Sequence, residues 1–346
     1  MLRLFAAQMK TRVHSPTKAA LRHLAAALRR GELVALPTET VYGLAANALD
    51  ARACRKIFTA KRRPADDPLI VHVAKLSDAE ILAEFNAAAR VLARKFWPGP
   101  LTIVLPKKKI VPAIVTSGQP TVALRAPAHP LARRVLRLAG VPLAAPSANP
   151  FGYVSPTTAE HVLDGLDGRI PHVLDGGPCH VGVESTIADL TEPARPRILR
   201  PGAVTGPEIV AALHAAGLPA SLAQGKTRSR QAVVAPGMLA QHYSPHTPLT
   251  LCTRIGERAH QPGTAVIYWQ APSRPWPHQG KVFSLTQTGL AADAAQSLYA
   301  ILRQADRSGC RRIVCERAPR AAGELGRAIN DRLLRAAGKR RAESRR

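Results

Sequence analysis

The chain of 346 residues carries 49 Lys and Arg against 23 Asp and Glu, a formal net charge of +26, with 46% hydrophobic and 21% charged residues. That length suits two cores better than one, and the hydrophobic share excludes a disordered chain. No stretch reaches the roughly 20 apolar residues of a membrane span, and residues 1–14 lack the apolar centre of a secretory signal, so the chain is read as cytoplasmic with no membrane partner.

In chain order, Ser15-Pro16 opens a helix as N-cap and first helical position, Leu21, Leu24 and Leu28 share one face, and Gly31 closes it. The apolar run 33–36 reads as a buried strand that delivers 37–42 to the end of a sheet, where sites are commonly built. A helix over 51–60, a strand over 69–73, a helix over 79–96 and strands over 101–105 and 121–125 follow, and a helix over 207–216 closes the first unit. This alternation specifies an α/β domain with a mixed sheet. Residues 217–248 turn Ser-, Gln-, Gly- and Pro-rich, as a linker does. Beyond them a strand (265–269), helix (291–308), strand (312–316) and helix (323–337) indicate a smaller Rossmann-like domain, without the G-x-G-x-x-G of a dinucleotide site. The basic end, 339–346, reads as a solvated tail.

The five cysteines, at 54, 179, 252, 310 and 315, form no C-x-x-C pair and have no histidines at zinc-finger spacing, so they are expected as reduced, mostly buried thiols. The net charge would attract polyanions such as ATP and tRNA, and it is equally what compositional drift toward Arg leaves behind. Gly225-Lys226-Thr227 imitates the end of a phosphate-binding loop, but the glycine required five residues earlier is Ala220. A triphosphate would therefore have to be held by side chains. Lys61-Arg62-Arg63 and Arg200 supply cations, while Thr38, Thr40, Ser147, Ser155, Thr157, Ser185 and Thr186 supply hydroxyls in Pro-bounded turns. There is no G-x-S-x-G elbow and no assignable Ser/His/Asp set, which argues against a serine nucleophile.

The ordered set Pro37-Thr38-Glu39-Thr40-Val41-Tyr42-Gly43-Leu44, Lys61-Arg62-Arg63-Pro64, Pro68-Leu69-Ile70-Val71-His72, Leu124-Arg125-Ala126-Pro127, Pro146-Ser147-Ala148-Asn149, Ser155-Pro156-Thr157, Gly182-Val183-Glu184-Ser185-Thr186 and Arg200-Pro201-Gly202 resembles the Sua5/YrdC threonylcarbamoyl-AMP synthases. Pro236-Gly237-Met238 and His242-Tyr243-Ser244-Pro245 resemble the linker of the longer, Sua5-type members. The resemblance implies a YrdC-like twisted mixed sheet with flanking helices over 15–205, a linker and lid over 217–248, and a Sua5-type Rossmann-like domain over 249–340. It implies an enzyme that joins L-threonine, bicarbonate or CO2, and ATP into threonylcarbamoyl-AMP and pyrophosphate, with Mg2+ accompanying ATP. The product would go to separate threonylcarbamoyl-transferase proteins that modify tRNA.

By the same resemblance, Thr40, His72, Arg125 and Ser185 line a threonine pocket with the backbone of Ala145, and Arg125 pairs with the threonine carboxylate. Arg63, Asp67, Thr121, Ser147, Ser155, Arg200 and Tyr243 contact ATP, and Lys61 joins Arg63 as an electrostatic group. Asp67 departs from the Asn or His common in relatives and would repel a triphosphate unless magnesium intervenes or it turns toward the arginines. Glu184 is either a magnesium ligand or a turn residue. Two rivals stand beside this reading: a duplex-RNA or tRNA-binding module carried by the charge, and a carbamoyl-transferring relative of the same fold. Aromatics at 4% leave few stacking platforms for single strands.

Overall fold

The computed structural model describes residues 10–223, 242–273 and 280–338. The Gly225-Lys226-Thr227 and Pro236-Gly237-Met238 segments and the 339–346 tail lie outside the described residues. The first unit contains β1 (Arg12–His14), α1 (Lys18–Arg29), β2 (Val34–Leu36), β3 (Gly43–Asn47), α2 (Ala51–Lys61) and β4 (Ile70–His72). It continues through α3 (Leu76–Glu80), α4 (Ala87–Phe96), β5 (Leu101–Pro106), β6 (Thr121–Arg125), α5 (Pro130–Ala139) and β7 (Leu143–Ala144). α6 (Ala159–Leu166), β8 (His172–Leu174), β9 (Thr186–Asp189), β10 (Arg197–Arg200) and α7 (Gly206–Ala215) complete it.

Among the described residues these strands form one mixed sheet in the order β1-β8-β2-β3-β7-β4-β6-β5-β9-β10. The pairs β4–β6 and β5–β9 are parallel, and β3–β7, β7–β4 and β6–β5 are antiparallel. The second unit contains β11 (Leu249–Cys252), β12 (Thr264–Gln270), β13 (Lys281–Thr286), α8 (Ala291–Asp306), β14 (Arg312–Glu316) and α9 (Gly323–Ala336). Its sheet, β11-β14-β12-β13, is parallel throughout, with α8 crossing from β13 to β14.

Local chemistry moved two expected boundaries. α1 starts after Thr17, not Ser15, because the Thr17 hydroxyl accepts from Ala20 N at 3.1 Å and so satisfies an otherwise orphan amide. The helix expected over 79–96 is two, α3 and α4. Residues between them pair instead with the chain leaving β5: Glu84 N donates to Pro106 O and Lys108 N to Leu82 O, both at 2.9 Å. Asn86 then caps the new helix through Ala89 N at 2.9 Å, an interaction worth about 1 kcal/mol. Three of the five cysteines, Cys54, Cys179 and Cys315, are buried, and all five are free thiols.

The sheet keeps a dry face and a polar face. Leu69, Val71 and Val73 around β4, Leu101, Ile103 and Leu105 on β5, and Val122 and Leu124 on β6 join the main core with residues of α2 and α4. The alternate residues of these strands point the other way. There the apolar floor shrinks to Ile70, Val104, Ala123, Ile187 and Leu199.

Candidate active site

Period-two alternation places Ile70 and His72, then Thr121, Ala123 and Arg125, then Thr102 and Val104 on that second face. Turns fold over it. The resulting cavity, about 40 Å³, is lined among others by Thr40, Arg63, His72, Arg125, Ala145, Ser147, Arg200 and Tyr243. Eight of the residues assigned to threonine or ATP thus meet around one space. Thr38, Gly43, Glu184 and His242 line it as well.

Arg125 is braced from behind: Nη2 lies 2.7 Å from Glu39 Oε1, Nε donates to Gly99 O at 3.3 Å, and Nη1 donates to Thr40 Oγ1 at 3.0 Å. Thr40 and Thr38 hydroxyls sit 2.9 Å apart, and Thr38 donates to Val41 O at 2.6 Å, so a polarised chain of hydrogen bonds starts at the guanidinium. Burial pushes the Glu39 carboxyl up, but Arg125 more than offsets it and holds it below its usual range. His72 goes the opposite way. Burial, then the charge of Arg125, lowers its imidazole to about 3, so the ring is neutral at neutral pH. His72 Nδ1, His242 Nδ1 and the Tyr243 hydroxyl are buried with no hydrogen-bond partner among the described residues. Buried polar groups are nearly always paired, so these three are unspent donors and acceptors.

The remaining sequence-selected residues, Thr121 excepted, stand behind the lining. Lys61 is buried and donates to Ser147 O at 2.5 Å and to Asn149 O, holding the 146–149 turn. Burial drives its pKa well down. Asp67 has turned toward an arginine: its Oδ2 lies 2.8 Å from Arg63 Nη2, with both side chains buried. Ser185 shares a 2.7 Å hydrogen bond with Thr102 and accepts from Arg200 Nη2 at 3.1 Å, so it aims Arg200. Ser155 donates to Glu184 at 2.7 Å. Thr121 Oγ1 lies on the pocket face, two residues before Ala123, buried and without a hydrogen-bond partner among the described residues.

Glu184, expected as a magnesium ligand or a turn residue, is a hub of hydrogen bonds. Its Oε1 accepts from Ser155, and its Oε2 accepts from Tyr299 at 2.7 Å and Arg332 at 2.9 Å, while Arg332 Nη2 also reaches Glu184 O at 3.3 Å. Burial raises this carboxyl and the arginines overcome it, leaving its pKa depressed. Tyr299 on α8 and Arg332 on α9 belong to the second unit, which therefore grips the pocket wall. Tyr243 stacks on Tyr299 with centroids 5.7 Å apart, and Arg332 sits 5.6 Å over its ring. Arg303, also on α8, donates to Val154 O at 2.6 Å. At Gly182, with φ +77°, an added Cβ would lie 2.2 Å from Ala295 O on α8. The sequence did hold a signal for these arginines. Arg332 falls between Ile329 and Leu333, and Arg303 beside Leu302 and Tyr299, on the buried stripes of their helices.

No carboxylate oxygen lining the cavity is left unpaired, since both oxygens of Glu184 are engaged. The donor set therefore does not fit a magnesium ion held by protein carboxylates. Among the lining residues no serine or threonine hydroxyl is hydrogen-bonded to a histidine or carboxylate, so the site lacks an activated nucleophile. Fixed guanidiniums and short hydroxyls on a sheet face define a protein that orients and neutralises an anionic substrate.

A family model described as Telomere recombination, covering Sua5, YciO and YrdC, matches residues 26–202, and the model for the threonylcarbamoyl-AMP synthase C-terminal domain matches 204–338. The threonylcarbamoyl-AMP synthase of Pyrococcus abyssi is 39% identical over 331 residues, 92% of this chain and 94% of that one. That of Bacillus subtilis is 41% identical over 324 residues, 91% and 92% of the two chains. The crystal structure of P. abyssi Sua5 complexed with L-threonine superposes with a TM-score of 0.84 at 38% identity, covering 95% of this chain and 98% of that one. A variant of that protein with an adjacent histidine and tyrosine both replaced by alanine superposes at 0.83. The chain belongs to the Sua5 family of threonylcarbamoyl-AMP synthases.

Proposed function

We propose that this protein is a threonylcarbamoyl-AMP synthase acting on L-threonine, bicarbonate or CO2, and ATP. The observation that carries the reading is the convergence of Arg63, Arg125 and Arg200 with the unspent polar atoms of His72 and Tyr243 around one cavity. The threonine amine forms an N–C bond to CO2 and loses a proton. A carbamate oxygen then attacks the α-phosphorus, and the bond to the pyrophosphate oxygen breaks. No protein nucleophile is required. The side chains supply alignment and charge, which are large effects in a preorganised site.

In this assignment Arg125, with Thr40, neutral His72 and the Ala145 backbone, receives threonine. Arg63, Arg200, Ser147, Thr121 and Tyr243 face ATP. Lys61, Asp67, Ser155 and Ser185 act one layer back: Lys61 fixes the Ser147 turn, Asp67 orients Arg63, Ser185 orients Arg200, and Ser155 orients Glu184. Magnesium accompanies ATP on its own phosphates and water. A cavity of about 40 Å³ holds a water or two, whereas small-molecule sites occupy roughly 300–1,000 Å³. His242 and Tyr243, from the linker, line this space and are the lid over the nucleotide in this reading. The adenylate passes to separate transferases for the threonylcarbamoyl-adenosine of tRNA, and the net charge of +26 favours contact with tRNA itself.

Pyrophosphate release with ATP and magnesium, omitting threonine and bicarbonate in turn, tests the assignment when the adenylate is weighed by mass spectrometry. Release that needs both, with a threonylcarbamoyl-adenylate mass, is expected. Release needing neither would indicate a nucleotide hydrolase. ATP binding without release would turn attention to the RNA-binding or carbamoyl-transfer readings.

A further inference from the structure

At the edge of the large sheet, away from the pocket strands in the sheet order, His14 on β1, His23 on α1 and His172 on β8 form a triangle. Their ring centroids are 5.1, 5.3 and 5.6 Å apart, and one nitrogen from each ring lies within 4.8 Å of the others. His14 Nε2 is 3.2 Å from His172 Nδ1. The other nitrogen of His172, Nε2, is 3.1 Å from Glu32 Oε2, while Glu32 Oε1 accepts from Arg30 at 2.8 Å.

From these residues we infer a transition-metal site of the zinc type, with His14, His23 and His172 as ligands and Glu32 as the carboxylate that orients His172. The distances carry it. With metal–nitrogen bonds of about 2.0–2.1 Å and tetrahedral angles, ligand nitrogens stand ~3.3 Å apart and imidazole centroids ~5.3 Å apart. The three observed centroid separations bracket that value, and one nitrogen pair is already in place. His23 is exposed, and one of its nitrogens already lies within 4.8 Å of the other two.

The outer contact points the same way. Donation from His172 Nε2–H to Glu32 leaves Nδ1 as the lone-pair nitrogen facing the other rings, the carboxylate–histidine arrangement that fixes tautomer and basicity in metal sites. Imidazole nitrogens without a hard oxygen ligand select zinc, nickel or copper over magnesium and calcium. Three protein ligands leave a fourth position for water or an exogenous ligand. The site would tie β1, which pairs over three residues with β8, and α1 to the sheet edge. Its role is to stabilise that edge; it takes no part in the adenylation chemistry.

The test uses the tag-free, chelator-treated full chain titrated with zinc alone and with cobalt(II) alone. One tight equivalent of zinc is expected, with the intense visible bands of tetrahedral cobalt and a Tm that climbs with zinc concentration. His23→Ala removes an exposed ligand, so it should leave the metal-free Tm unchanged while abolishing the cobalt bands and weakening zinc at least tenfold. Glu32→Gln should weaken zinc by about 10–100-fold. Unchanged zinc stoichiometry and affinity in His23→Ala, or no zinc binding by the parent at micromolar concentration, would overturn the site.

Discussion

The first domain brings pocket residues on β4, β6 and the turns between strands, whereas no described residue beyond Tyr243 lines the cavity. The second domain works from behind it. Tyr299 and Arg332 engage Glu184, and the α8 backbone presses on Gly182. The comparison separates two ways of making a site: one domain presents the chemistry, and the other fixes the wall on which it depends.

The largest effect should come from the second domain. Arg332→Met leaves the buried Glu184 carboxylate without its cation, and a broken buried pair costs about 3–5 kcal/mol. Urea unfolding should show the loss, and limited proteolysis should show the two domains parting. Arg125→Ala, in the first domain, truncates a buried charge pair; a threonine KM raised by about 30-fold or more, the ~2 kcal/mol lower bound for such truncations, is expected from initial rates. If ATP affinity fell instead, Arg125 would not belong to the threonine side. Gly182→Ala forces a Cβ into the α8 backbone and should cost about 1–3 kcal/mol of stability by thermal unfolding. A neutral result would mean the domains are not packed as described.

Acid should expose the first domain's own cost. His72 has its folded pKa lowered, so between pH 6.5 and about 3 the unfolded chain binds a proton that the folded one refuses. Stability is therefore full above pH 6.5 and falls as pH drops, by roughly 1.4 kcal/mol at pH 5.5 from this one group. His72→Gln should flatten the slope of Tm against pH over that window. The smallest effect belongs to Tyr243→Phe. Its hydroxyl has no partner among the described residues, so stability should stay within about 0.5 kcal/mol of the parent. Weaker ATP binding by calorimetry should accompany it, and unchanged ATP binding would remove the hydroxyl from the nucleotide site.

Much of the first domain was legible because its determinants are local. The grouping of Thr40, His72, Arg125 and Ser147 came from the resemblance, and in the structure Pro-bounded turns and strand alternation bring these residues to one cavity. Residues a layer back could not be separated from the lining by spacing alone: Lys61 and Arg63 lie two apart in sequence and both donate to backbone carbonyls, yet only Arg63 lines the cavity. The Glu184 hub was hidden for a different reason. Its partners in the second domain lie 115 and 148 residues away, and a charged residue on a helix stripe does not announce which carboxylate it meets. The interruption between α3 and α4 was likewise decided by pairing with residues after β5, not by helix propensity.

The coupling across the domains is tested most directly by kcat/KM for ATP in Arg332→Met, Glu184→Gln and the double variant. Because the two groups act as one unit, the double variant should be no worse than the poorer single variant, a coupling of about 0.5–3 kcal/mol. Losses that simply add would contradict the account, because Arg332 would then support the pocket by some route other than Glu184.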